Sequence, residues 1–536
     1  MPTPAPAPAP APVPTPVRPP RSLPPSAPPR RATRRATRRA VRRPRHPAAL
    51  AWALAAGFAA LYVCVAANRH RRGLTKAYDL GIFEQAIRAY AHLRAPIVPL
   101  KGPGYHLLGD HFHPLIATLA PAYRAFPSPL TLVVAQALLM ALAVVPLTRW
   151  AHEVAGPRVA LLVGCATGAS WGIVRAAADD FHEIAFAVPL LAFAATALGR
   201  RRPLAAALWS LPLLLVKEDL GLTVAAVGLL IAWQARQDRR APVPGLALAG
   251  LGVAATALTV LVVLPAFNPS GGFDYWQQLD GGGQPSPWAL PLRLGWPPVK
   301  WLLLFLLAAT TGFLGLRSPL VLLCAPTLAW RLLSANPHYW GVSYHYSAVL
   351  MPIAFAALVD ALRRSGGTPG SPHGSRLPHG SGLPDASRSP QASGSPHDSA
   401  ARAPLPRRAR RALAVSALVT AVTLPLYPLH EVVMPEAWST SPRLTETRAV
   451  LRLIPDDATV AASNRLAAQL TDRAEVTLAC REPARPGPEW VVVDLRDPSV
   501  QAPCAVADTA RVLTLYQGLG YRRLVDRDGL LLLKRP

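Results

Sequence analysis

Carboxylates and imidazoles are the side chains that exchange protons near neutral pH and ligate divalent cations. In this chain they gather first in residues 77–114, AYDLGIFEQAIRAYAHLRAPIVPLKGPGYHLLGDHFHP, which hold Asp79, Glu84, Asp110, His111 and His113. In GDHFHP, Pro114 disfavours helical backbone at His113. An extended stretch would point His111 and His113 to the same side. That arrangement suits a metal pair, a polar substrate wall or an ordinary interfacial turn, since two histidines do not complete a metal site. Asp79 precedes Leu80, Phe83, Ile87 and Tyr90, an apolar stripe at helical spacing. It therefore also reads as the N-cap of an amphipathic helix lying in the membrane interface.

Three further clusters carry the same chemistry. DDFHE supplies Asp179, Asp180, His182 and Glu183, and the Asp180–Glu183 spacing is equally that of a capping box. LLLVKEDLGL supplies Lys217, Glu218 and Asp219 at the end of a short apolar run, 203–216. At 1.5 Å per residue that run covers roughly 21 Å against a hydrocarbon core of about 30 Å. The turn is expected below the membrane surface, where charges persist only if paired or facing a wet cavity. Lys217 either pairs with a neighbouring acid or holds a lipid phosphate as a compact point charge. HYWGVSYHYS supplies His338, Tyr339, Trp340, Tyr344, His345 and Tyr346, which suit a sugar or lipid cleft or an interfacial aromatic belt.

The elements that must position these groups are membrane helices. Of the 536 residues 51% are hydrophobic, in repeated runs about 20 residues long. The net charge of +27 would suggest nucleic acid in a soluble protein. Here the arginines sit beside apolar runs, as topology signals and anionic headgroups require, so nucleic acid is not an expected partner.

Residues 1–47, Pro-rich with eleven arginines, form a disordered cytoplasmic tail. The first span, 48–67, then exits outward. Further apolar runs near 129–149, 158–174, 184–199, 203–216, 220–234, 243–265, 298–316, 319–333, 347–362 and 412–429 bring the expected total to eleven. Alternation places Arg149 to Arg158, Arg200 to Arg202, Arg236 to Arg240, Arg317, Arg363, Arg364 and Arg402 to Arg411 inside. Arg69, Arg71 and Arg72 are the exception.

The expected organisation is a transmembrane domain over 48–364, a disordered Gly/Ser/Pro linker over 365–409, a last helix over 410–429 and a small extracytoplasmic α/β domain over 430–536. In that domain ATVAA, EVTLA, WVVVDL and GLLLLK read as strands, and 464–470 and 506–516 as helical. Cys480 and Cys504 fall there and could bond in an oxidising compartment. Cys64, Cys165 and Cys324 read as small packing residues. On this map the acid, imidazole and Lys217 clusters all face outward.

YDLGIFEQAI, LLGDHFHPL, FPSPLTLVVAQALLMALAVVPL, DDFHEIAFAVPLL, LLLVKEDLGL, HYWGVSYHYSAVLMP and IPDDATVAASNRL resemble the bacterial multipass family catalogued as domain of unknown function 2079. The resemblance runs from about Ala48 to Leu362 and resumes near Leu453. That family is similar to the C-type (GT-C) glycosyltransferases, which use polyprenyl-phosphate sugars and carry a catalytic acid in the first outer loop. The matching position is Asp79. The resemblance implies a base toward an acceptor hydroxyl there, or part of a metal or substrate site. Related enzymes often carry two adjacent acids, whereas Leu80 follows Asp79, which leaves Asp110 or Glu84 as the second acid.

The implied function is a cell-membrane glycosyltransferase moving a sugar from a polyprenyl-phosphate donor to an envelope glycan, lipid or protein. Membrane lipids are its surroundings. Glu84, Asp110, His111, His113, Asp180, His182, Glu183, Lys217, Glu218, Asp219, His345 and Tyr346 are the substrate-binding candidates. Lys217, with Arg175 behind it, is the expected cation for the leaving phosphate. The residues name no specific cofactor, and a divalent metal is compatible with the donor set. A transporter or flippase of an envelope precursor, and a non-catalytic envelope scaffold, are the alternatives.

Overall fold

The computed structural model of the protein describes residues 47–275, 289–365, 405–482, 486–497, 503 and 506–536. The expected tail (but for Pro47) and most of the 365–409 linker lie outside the described residues. The chain is mostly helical, with one sheet near the C-terminus.

Among the described residues five helices are long and apolar enough to cross a bilayer: Ala48–Arg71, Pro129–Ala155, Val243–Phe267, His345–Ser365 and Arg407–Leu426. The pair Pro157–Gly168 and Trp171–Ala177, bent by 46°, makes a sixth if it is one span. The expected count of eleven is not met by these criteria. Four of the expected spans are shorter apolar helices, Glu183–Gly199, Pro203–Leu215, Val299–Thr310 and Pro319–Leu333. Helices of 10 to 17 residues reach only roughly 15–25 Å, short of a hydrocarbon core of about 30 Å. Apolar composition continues where the helix does not. After Thr310 the chain turns through Gly312 and Phe313, both in the left-handed region, into a 3-10 segment, Leu314–Arg317.

His345–Ser365 is the central pillar, with 94% of its apolar window buried, whereas for Val243–Phe267 the share is 17%. The latter leaves Leu251, Leu258 and Leu261 exposed to the surrounding medium. Against lipid, helices gain little by burying leucine, and close approach of backbones at small residues drives pairing instead. Leu220–Gln237 packs on Val243–Leu258 in this way. A Cβ added at Gly228 would lie 2.6 Å from the Gly245 carbonyl oxygen. This pair sets the position of the Lys217–Glu218–Asp219 turn, and Thr256 Oγ1 donates to the Glu218 carbonyl at 3.0 Å.

The C-terminal sheet has strands β1 (Thr459–Ala462), β2 (Glu475–Leu478), β3 (Trp490–Asp494), β4 (Arg522–Arg527) and β5 (Leu530–Lys534), in the order β2-β1-β3-β5-β4. β1 runs parallel to β2 and β3, while β5 runs antiparallel to β3 and β4. Side chains alternate across it. Val460, Val476, Val492 and Leu532 join a core with Leu80, Phe83 and Ile87 of the first loop. Ala461, Val491, Val493 and Leu533 pack on Val512 and Tyr516 of the helix Val506–Gly518. β4 is mostly exposed, so its sequence shows no buried stripe. Cys480 is disulfide-bonded, and Cys504 lies outside the described residues.

The sheet domain is therefore docked on residues 77–91 by a shared core rather than merely tethered. The Tyr78 N–H donates to Asn464 Oδ1 at 3.0 Å and Gln85 Nε2 to the Val476 carbonyl at 2.8 Å. Two of the three arginines that break the charge pattern share one carboxylate. Arg69 lies 2.5 Å and Arg72 3.7 Å from Glu431, just past the last long apolar helix.

Candidate functional site

A cavity of about 340 Å³ is lined by residues from distant parts of the chain. Residues 78–113 contribute Tyr78, Asp79, Lys101, Asp110, His111 and His113. The second cluster contributes His182 and Glu183, and the third Lys217, Glu218 and Asp219. Tyr275, Trp330, Tyr339, His345 and Tyr346 close it.

Local folding explains why these groups are free to face inward. Asp79 does not cap a helix. It lies inside a single π-turn, Ala77–Gly81, and the helix Ile82–Ala91 starts at Gly81 without a side-chain cap. Its carboxylate sits 3.5 Å from His182 Nε2. The capping box of DDFHE does not form either. Asp180 takes positive φ, and Glu183 opens a 3-10 turn with no side-chain cap. His111 and His113 both reach the cavity. His113 packs edge-on against Phe83, and burial pushes its imidazole down to about 4.

Charges meet in pairs across the loops. Lys217 Nζ is 2.7 Å from Glu183, with side chains 14% and 4% exposed. His111 Nδ1 is 2.8 Å from Glu218 Oε1, and the Phe112 N–H donates to the other oxygen at 3.1 Å. Lys101 is 3.0 Å from Asp110, which also accepts from Tyr275 Oη at 3.2 Å. Trp330 Nε1 donates to Asp219 Oδ2 at 2.8 Å, and Asp219 Oδ1 has no hydrogen-bond partner. Burial, then the neighbouring Glu218 carboxylate, pushes Asp219 up to about 6. The cavity thus offers acids, imidazoles and two ammonium groups around a partly apolar floor of Ile82, Phe83 and Leu107.

Two of the residues expected here stand behind the cavity. Glu84 is fully buried between the first loop and the sheet domain, where Tyr123 Oη donates to it at 2.9 Å and Thr471 Oγ1 also donates. Asp180 accepts the Lys76 N–H at 2.9 Å, and burial pushes its carboxyl up to about 7. Arg175 is absent from the lining and lies 3.4 Å from Asp179. Of the expected aromatic cleft, Tyr339 and Tyr346 line the cavity, whereas Trp340 and Tyr344 do not.

Lys101, Tyr275 and Trp330 were not singled out by the sequence reading. A signal for Lys101 existed. Of 56 basic residues only five are lysines, Lys76, Lys101, Lys217, Lys300 and Lys534. Two of these line the cavity, and Lys76 sits 3.8 Å from Asp180. In a chain that otherwise uses arginine, a retained lysine marks a place for a compact, strongly hydrated cation.

No curated protein matches the chain. The family model described as predicted membrane protein, DUF2079, matches residues 69–532, and with most of its length covered the chain belongs to that family.

Proposed function

We propose that the protein is an inverting membrane glycosyltransferase of the C-type architecture, moving a sugar from a polyprenyl monophosphate to an envelope acceptor. The observation that carries this reading is that Asp79 and Lys217, a base and a cation from separate loops, line one cavity. Asp79 takes the proton of an acceptor hydroxyl. The acceptor oxygen then bonds to the anomeric carbon from the face opposite the phosphate, inverting it, while the carbon–oxygen bond to the phosphate breaks. The polyprenyl phosphate leaves with the electron pair, and its charge is met by Lys217. An ammonium has three donors, and Glu183 engages one, so the others remain for a phosphate oxygen. Asp110 or Asp219 is the second acid of the site, and Tyr339 and Tyr346 supply aromatic faces for a sugar ring.

The accompanying topology is eleven crossings, with the short helices completed by bilayer thinning and by the non-helical residues beside them, the N-terminal tail inside and the sheet domain outside. Support comes from the docking of that domain on the loop after the first helix. Ten of the eleven crossings lie between residues 72 and 430, and an even number puts that loop and the sheet domain on the same side of the membrane. The arginine-rich turns on the opposite side agree.

The test compares envelope glycans and in vitro transfer from polyprenyl-phosphate sugars for wild type and Asp79→Asn. Loss of transfer by a factor of about 100 or more is expected for a base. Unchanged glycans in a properly folded variant would remove catalysis from Asp79.

A further inference from the structure

Behind Asp79, three side chains converge that the transfer scheme does not use. Asp179 and His182 come from the loop after Trp171–Ala177, and His345 from the start of the central pillar. One donor atom from each lies within 4.8 Å of the others, and all three residues are buried. We propose that Asp179, His182 and His345 bind one divalent transition-metal cation of the zinc class, with a fourth position open toward Asp79 and the cavity.

The hydrogen bonding of these groups points to a missing partner. Both ring nitrogens of His182 and Nδ1 of His345 are buried with no hydrogen-bond partner among the described residues. Native interiors seldom leave such atoms unmatched. The two rings stand 3.5 Å apart between centroids, tilted by 32°. Two imidazoles so close repel once protonated, whereas both coordinate a cation as neutral ligands. The Asp179 carboxylate divides its roles. Oδ1 faces Arg175 NH2 at 3.4 Å and Lys76 Nζ at 3.9 Å, while Oδ2 faces His345 Nδ1 at 4.0 Å. One oxygen therefore remains on the imidazole side.

His182 is also held from behind. The backbone N–H of His182 donates to Gln136 Oε1 at 2.9 Å, and Gln136 Nε2 donates to the Asp180 and Ala176 carbonyls at 2.7 and 2.9 Å. Such support fixes a ligand before the cation arrives. Two imidazole nitrogens with carboxylate oxygen suit zinc or a neighbouring transition metal rather than magnesium or calcium. Three protein ligands with a position open toward Asp79 and the cavity match the catalytic rather than the structural class of zinc site. The site does not depend on the transferase reading, because cation uptake is measured directly.

The experiment uses the full chain in detergent, stripped with a chelator and titrated with Co2+. Wild type is expected to bind one Co2+ with visible d–d absorption that Zn2+ abolishes. His182→Ala and His345→Ala are each expected to weaken binding at least as far as the roughly 100-fold that loss of an outer-shell partner can reach. His338→Ala, at an exposed histidine outside the cluster, is expected to leave it unchanged. Because a histidine change at a buried site can also unfold the chain, X-ray absorption of the Co2+-loaded wild type provides an independent reading. Imidazole nitrogens in its first coordination shell are expected. An all-oxygen shell, no stoichiometric uptake by wild type, or affinity surviving both histidine changes would overturn the proposal.

Discussion

Replacing Glu84 by Gln isolates the joint between the first loop and the sheet domain. Glu84 has no exposed surface and accepts from Tyr123 and Thr471. Burial, with the Asp472 carboxylate adding to it, raises its carboxyl from 4.5 to about 8, against the two hydrogen bonds and Arg88. The folded state therefore prefers the protonated acid, while the unfolded chain ionises near 4.5. Its contribution to stability is complete below about pH 4.5, shrinks as the pH rises, and is lost through about pH 8. At about 1.36 kcal/mol per pH unit, that interval amounts to about 5 kcal/mol. Glu84→Gln keeps the shape and the polar atoms but cannot ionise. Thermal unfolding of both proteins in detergent, followed by fluorescence from pH 5 to pH 9, is the assay. The two are expected to unfold within a narrow range of each other at pH 5, with the variant increasingly the more stable toward pH 9. Parallel curves across that range would refute a protonated, buried Glu84, and with it the account of how the domain is seated.

The Lys217–Glu183 pair is tested by a double-mutant cycle. Removing one member leaves a buried charge uncompensated, at about 3 kcal/mol, so Lys217→Met and Glu183→Gln are each expected to destabilise more than the double variant. Additive single effects in chemical unfolding would dissolve the pair. Membrane orientation is read from Ser439→Cys, at an exposed position beyond the last long helix. Labelling by an impermeant maleimide in intact cells is expected, and labelling only after lysis would invert the proposed topology.

Local pattern made much of this protein legible from residues alone. Long apolar runs announce a membrane protein because a bilayer of fixed thickness demands them. Short apolar runs rich in Val, Leu and Ala announced four of the five strands, and the exposed β4 escaped because nothing is buried along it. The acid, imidazole and lysine clusters were visible too, since charges beside apolar runs are rare. Helix length was less legible, because composition does not report where Gly312 and Phe313 end a helix.

Partnership was decided by the tertiary structure. Glu183 meets Lys217 across 34 positions, His111 meets Glu218 across 107, and Glu84 meets Thr471 across 387. Spacing in the chain carries no information about such pairs, because they depend on how helices pack and on which loops come together. Asp79 and Glu84 stand five positions apart, yet one faces the cavity and the other the sheet domain. Both are carboxylates, and packing made one of them a candidate base and the other a buried peg.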